Sequence, residues 1–174
     1  GYDPSNGGKF YFYAPGGQYA ICNTCLPSLS TWTVGVWHYY DGSETSGAPC
    51  IVTETFIGGG INYSLGNNNG PFSVGFFNGG WQVTDGYSLT PNNWYYIVGT
   101  YNSNTLRLYV NNTLVESTTP LVYTPQSSNA GIYLMSRWDN TPGELWGGYL
   151  SMVDIYDRPL SATQITSLWN LNKS

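Results

Sequence analysis

The sequence predicts an all-β fold: two antiparallel sheets packed face to face, with one short helix near the C-terminal end. Three observations carry this reading. Charged residues make up only 9% of the 174 and aromatic residues 17%, so the chain lacks the mixture of Ala, Glu, Lys and Leu from which helices are built. Its 22 glycines and 16 tyrosines, with abundant Asn, Val and Thr, suit turns on the one hand and pleated, half-buried surfaces on the other. Short apolar or alternating runs also recur between turn signals along the whole length, as they do in sandwiches and barrels.

The runs fall at 9–14, 32–40, 51–57, 61–66, 72–77, 81–84, 94–101, 106–110, 114–117, 132–136 and 149–156. Between them stand Asn67-Asn68-Asn69-Gly70, Asn78-Gly79-Gly80, Asn102-Ser103-Asn104 and Asn111-Asn112, residue types that accept positive φ and close tight hairpins. Most neighbouring strands are therefore antiparallel hairpins, and 32–40 paired with 51–57 is one candidate. Side chains alternate across a strand. That places Trp32, Val34, Val36 and His38 on a core face, and Thr33, Gly35, Trp37 and Tyr39 on the opposite one. Leu106, Leu108 and Val110 form a second inward stripe, with Arg107 and Tyr109 outward. Near the end, Ser161 and Gln164 make a capping-box pattern after Pro159, and Ile165, Leu168 and Trp169 share one face, which predicts a short helix plugging the sandwich. Residues 1–174 read as one domain, without repeats or a low-complexity linker.

A net charge of −5 with five Lys and Arg leaves no basic patch for phosphates, which argues against nucleic acid and anionic membrane surfaces as partners. No apolar run approaches the roughly 20 residues of a spanning helix. The acidic, Lys-poor, Asn/Ser/Thr/Tyr-rich composition suits an extracellular, cell-surface or virion-surface protein.

The stretch Asn93-Trp94-Tyr95-Tyr96-Ile97-Val98-Gly99-Thr100-Tyr101, followed by Thr105-Leu106-Arg107-Leu108-Tyr109-Val110-Asn111-Asn112-Thr113-Leu114-Val115, resembles the central hairpin of laminin-G-like domains in the concanavalin A-like lectin/glucanase superfamily. Gly148 to Ser161 is similar to that family's closing strand and helix cap, and Ser30 to Trp37 to its early F-T-I-S-A-W strand. The resemblance spans nearly the whole chain and implies a jelly-roll sandwich. It also implies a lectin-like, carbohydrate-binding or adhesion module. Two departures bear on chemistry. Ser151 and Met152 stand where relatives carry an acidic pair, which weakens the expectation of calcium, a frequent cofactor of the superfamily. The glutamates at 44, 54, 116 and 144 do not alternate along one strand, as the glucanase branch requires, so no catalytic residue is assigned.

A glycosidase needs two carboxylates across the scissile bond, and Glu54 with Asp85 or Glu144 with Asp139 are the pairs to inspect. A Ser-His-Asp triad would have to use His38, the single histidine, which the alternation places in the core. Cys22, Cys25, His38 and Cys50 could supply a zinc set, but a disulfide is the simpler reading: Cys22 with Cys25, or a bridge to Cys50. Asn62-Tyr63-Ser64, Asn111-Asn112-Thr113 and Asn172-Lys173-Ser174 match the glycosylation sequon.

Sugar recognition combines aromatic faces with small polar groups, because a pyranose offers both a C–H face and hydroxyls. The 136–146 loop concentrates Trp138, Asp139, Asn140, Glu144 and Trp146, and loops at a sandwich rim are natural recognition sites. A second candidate surface holds Trp37 and Tyr39, with Phe77 and Trp81. The expected partners are glycans. The alternative is a structural module whose aromatic surface packs against neighbouring subunits of a virion, fibre or surface layer.

Overall fold

A computed structural model of the chain describes residues 2–3, 9–23, 29–45, 47–54, 56, 60–67, 71–126, 131–139 and 144–172. Its strands, in chain order, are β1 (Tyr2–Asp3), β2 (Lys9–Phe12), β3 (Ala20–Cys22), β4 (Trp32–Tyr40), β5 (Cys50–Glu54), β6 (Gly60–Asn67), β7 (Phe72–Asn78), β8 (Trp81–Val83), β9 (Asn93–Asn102), β10 (Thr105–Val110), β11 (Thr113–Thr118), β12 (Ile132–Leu134) and β13 (Gly148–Tyr156), followed by helix α1 (Ala162–Asn172). Each of the eleven runs read from the sequence contains a strand. Two short edge elements, β1 and β3, go beyond the eleven runs, because two or three residues are too few to carry an alternation.

The strands form a seven-stranded sheet, β1-β2-β13-β4-β9-β10-β11, and a six-stranded sheet, β3-β12-β5-β6-β7-β8. Every pairing is antiparallel. The hairpins follow from the turn residues. Asn111 and Asn112 both take positive φ, 49° and 66°, between Val110 and its partner Thr113, the left-handed pair that a two-residue loop requires. The suggested hairpin of 32–40 with 51–57 does not form. β4 is the centre of the seven-stranded sheet, paired with β13 and β9, whereas β5 lies in the other sheet between β12 and β6. Both strands are so apolar that each needs two strand neighbours, and the chain crosses between layers to provide them.

The inner faces meet in one core. Trp32, Val34 and Val36 of β4 and Ile97, Tyr101, Leu106 and Leu108 pack against Tyr63, Leu65, Val74 and Phe76 of the opposite sheet. Burial of each such side chain contributes about 1.5–3 kcal/mol. Gly99 marks a point of closest approach, since a Cβ there would lie 2.2 Å from Val74 Cγ2.

Helix α1 forms as read. Ser161 Oγ accepts the Gln164 N–H at 3.3 Å, and Gln164 Oε1 accepts the Ser161 N–H at 2.9 Å. Its placement differs from the expected plug. Ile165, Leu168 and Trp169 lie on the outer face of the seven-stranded sheet, over Trp37, Tyr96, Val98, Tyr109 and Met152. That face carries too many rings to be left in water, and the helix gives it a second core.

Candidate functional site

The helix decides the fate of the second candidate surface. Trp37 stacks on Trp169, with centroids 5.1 Å apart and planes 14° from parallel, so one face of its ring packs under the helix and the side chain is only half-exposed. Tyr39, at the uncovered end of the same strand, remains half-exposed. It packs in a group with Trp94 at 5.6 Å and Tyr149 at 5.8 Å, and Tyr149 in turn meets Tyr11 at 4.7 Å. These rings stand on adjacent strands in register, and Lys9 Nζ lies 4.5 Å from the centroid of Trp94.

Among the described residues, no helix lies over the outer face of the six-stranded sheet. β7 turns Phe72, Val74 and Phe76 inward, which leaves Ser73, Gly75 and Phe77 outward. Trp81 lies opposite Phe77 and Val83 opposite Gly75 on β8. Ser64, Gly66 and Asn67 of β6, Ser73 and Gly75 of β7, and Trp81 and Val83 of β8 line a shallow depression closed on one side by Trp138. The rings form a continuous row. Phe56 meets Phe77 at 5.9 Å, Phe77 meets Trp81 at 5.5 Å, and Trp81 meets Trp138 at 4.9 Å, each edge to face. Phe56 is 42% exposed, and Trp81 and Trp138 are half-buried.

Trp138 is held by its own loop. Met135 N–H donates to Ile51 O at 2.9 Å and Trp146 N–H to Met135 O at 3.1 Å, tying the loop's base to β5. The Arg137 guanidinium lies 4.6 Å from the Trp138 centroid, pairs with Glu144 Oε1 at 2.5 Å and sits 3.1 Å from Asp139 Oδ1. Glu144 Oε2 accepts the Ala48 N–H at 2.9 Å. Glu144 is therefore engaged in clamping the loop and is only partly exposed. Asp139 is exposed beside Trp138, and Asn140 lies outside the described residues.

Trp146 is not at the rim. It is 3% exposed and donates its indole N–H to His38 Nε2 at 2.8 Å. An indole N–H only donates, so Nε2 accepts and the ring proton resides on Nδ1, 3.1 Å from Tyr149 O. One neutral tautomer satisfies both bonds. Burial holds the imidazole far below its ordinary value, at about 3. With both ring nitrogens engaged, His38 has no free nitrogen for a triad or a zinc site.

Glu54 is buried on β5, with Oε2 accepting the Asn62 N–H at 2.5 Å, while Asp85 is exposed beyond β8, three strand positions away. Glu144 and Asp139 meet only through Arg137. Cys22 is disulfide-bonded. Cys50 is a buried free thiol whose Sγ lies 3.2 Å from Ser64 Oγ, so Cys50 is not its partner, and Cys25 lies outside the described residues. Ser151 is exposed beside the bulge in β13, and Met152 packs against the helix cluster. Among the described residues no three His, Cys, Asp or Glu side chains come together, and no helix is long and apolar enough to cross a membrane. Asn62 is buried, with its amide nitrogen donating to Leu29 O and Gln126 O, which makes that sequon inaccessible.

A laminin-G family model, described as the concanavalin A-like lectin/glucanases superfamily, matches residues 5–166. Several solved structures share the fold at low identity. Domain 4 of AbnA, an extracellular arabinanase from Geobacillus stearothermophilus solved with arabinotriose, aligns with a TM-score of 0.68 at 16% identity over 84% of this chain and 69% of that one. The botulinum neurotoxin serotype G binding domain gives 0.73 at 14% identity, over 99% of this chain but 45% of its own. A pentraxin of Limulus polyphemus gives 0.65 at 13% identity, over 88% and 76%. A search against curated protein sequences found no match.

Proposed function

The chain belongs to the concanavalin A-like lectin/glucanase superfamily, and from that premise we propose that it is a non-catalytic carbohydrate-binding or adhesion domain of an extracellular, cell-surface or virion-surface protein. The row Phe56, Phe77, Trp81 and Trp138 carries the reading. Apolar ring faces half-exposed on a sheet, beside the Asp139 carboxylate, suit the C–H face and hydroxyls of a sugar chain. The loop clamp fixes Trp138 in advance, which lowers the ordering cost of binding. Support for a binding role over a catalytic one comes from the scattered carboxylates: Glu144 is engaged by Arg137 and the Ala48 N–H, and Glu54 is buried. Domain 4 of the arabinanase was solved with arabinotriose, so arabino-oligosaccharides head the panel for testing.

The test is a glycan array followed by calorimetric titration, with Trp81→Ala and Trp138→Ala as variants checked for folding by circular dichroism. Saturable binding is expected, weakened tenfold or more in each variant, the equivalent of about 1.4 kcal/mol. Absence of binding across arabinans, other cell-surface polysaccharides and the array would sink the proposal. The second reading, subunit packing, is favoured by Phe56, Val122 at 79% exposure and Tyr123 at 42%, which add apolar area around Trp81. It predicts concentration-dependent assembly in analytical ultracentrifugation, suppressed by Tyr123→Ser.

A further inference from the structure

At the end of the sandwich where β4 runs out, a cleft of about 230 Å³ opens between Tyr40, Glu44, Asn67, Phe72, Ser88 and Trp146. The aromatic row lies on a different surface and shares with it only Asn67. Among the described residues, Glu44 is its one carboxylate. The Tyr40 hydroxyl donates to Glu44 Oε1, whereas Oε2 is buried and has no hydrogen-bond partner among the described residues. Burial, and then the Glu44 carboxylate itself, push the Tyr40 hydroxyl above its ordinary value, so Tyr40 stays a donor at neutral pH and keeps Oε1 occupied. A buried carboxylate oxygen left without a donor is unfavourable. The terminal torsion of Glu is broad, which lets the carboxylate turn to a donor arriving in the cleft.

The charges around the cleft select what that donor is. Asp41 adds a second negative charge acting on Tyr40, and among the described residues no cation lines the cleft. The described cations lie elsewhere: Lys9 over Trp94, Arg107 in a cleft beside α1, Arg137 on Asp139 and Glu144, and Arg158 beside Tyr156. Anionic ligands are repelled. Calcium needs six to eight oxygens, more than one carboxylate and two neutral polar side chains offer. An organic ammonium meets the carboxylate and gains further from the rings of Tyr40, Phe72 and Trp146. Asn67 and Ser88 are in place for hydroxyls on the same molecule, and the volume, below the roughly 300 Å³ at which drug-sized pockets begin, holds one sugar ring.

We propose that this cleft is a second, cation-selective subsite in which Glu44 receives the ammonium group of an amino sugar. The identification of the carrier as a sugar rests on the glycan-binding reading above, but the selection of an ammonium group does not.

The test titrates the full chain with glucosamine, N-acetylglucosamine, glucose, n-butylamine and calcium chloride, following amide shifts by NMR. Glucosamine is expected to bind saturably, shifting residues around Glu44, Asn67 and Ser88 and leaving Trp81 and Trp138 unmoved. N-acetylglucosamine and glucose, which lack the charge, should bind at least tenfold more weakly. Glu44→Gln should lose at least tenfold toward glucosamine, and Ser88→Ala, at an exposed position, about threefold. Equal binding of glucose and glucosamine, shifts confined to Trp81 and Trp138, or displacement of glucosamine by calcium would each overturn the proposal. Binding of n-butylamine as tight as that of glucosamine would overturn the sugar carrier. Trp138→Ala separates the two readings: it abolishes polysaccharide binding if the aromatic row is the main site, and leaves glucosamine binding intact if the cleft is independent.

Discussion

His38 makes the stability of this fold depend on pH in a way that can be worked out beforehand. Its imidazole is fully buried, with a pKa lowered to about 3 from 6.5. The folded state therefore binds fewer protons than the unfolded state throughout the window between these values. The stability from the neutral ring is complete above 6.5 and is lost as pH falls toward 3. Between about pH 4 and 6.5 the loss follows the unfolded value alone, because the folded ring is still unprotonated. Linkage gives a loss of about 1.2 kcal/mol from about pH 7 to 5.5, and about 2.5 kcal/mol to about pH 4.5. The physical reason is local. Protonation would turn Nε2 from acceptor to donor, facing the Trp146 indole N–H 2.8 Å away. Urea unfolding at the three pH values, on the parent and on His38→Gln, isolates the term, since other titrating groups are common to both chains. The variant should be less stable at pH 7 and have a flatter acid limb, so the gap narrows by about 2.5 kcal/mol at pH 4.5. Parallel pH profiles would refute the assignment of the neutral tautomer and with it the burial argument.

Two further perturbations test the packing. Gly99→Ala drives a methyl to 2.2 Å from Val74 Cγ2, and overpacking of this kind costs about 1–3 kcal/mol; Val74→Ala in the same chain should recover part of the lost melting temperature, and failure to do so would place the strain elsewhere. The Cys50 thiol, pushed up to about 12 by burial, should stay unlabelled by a maleimide in the native protein and react fully in guanidinium; rapid native labelling would mean that the Cys50 end of β5 opens.

Much of this fold could be read from residue order because one strand reports its own surroundings. Trp32, Val34, Val36 and His38 are all fully buried, as their alternation requires, and Ser161 with Gln164 closes the helix start reciprocally. Sites were harder to read. Trp138 and Trp146 lie in one loop with similar neighbours, yet one lies over a sheet and the other is buried against His38 and Phe72. Nothing in an eight-residue separation tells which tryptophan turns inward, because that depends on β4 and β7, which lie far away in the chain. Trp37 was placed on the correct face, but what covers that face was not. The clue was available in Ile165, Leu168 and Trp169, whose shared face needs an apolar partner of its own. The Tyr11, Tyr149, Tyr39 and Trp94 group escaped notice because its members come from four strands and are adjacent only in register. Glu44 gave no signal at all, since one acid in a polar loop is indistinguishable from a solvated one.

The Arg137 clamp has a consequence for how this surface would meet a ligand. A tryptophan on a free loop surrenders its rotamers at the moment of contact, and that loss is charged against every encounter. Here Glu144, the Ala48 N–H and the guanidinium over the ring settle the orientation of Trp138 while the chain folds. Damage to the clamp would leave every atom of the aromatic row in the protein and still weaken binding, through disorder in the unbound state and not through any missing contact. The deficit would be entropic, deepen with temperature and, because salt screens the ion pair of the intact clamp, narrow as ionic strength rises.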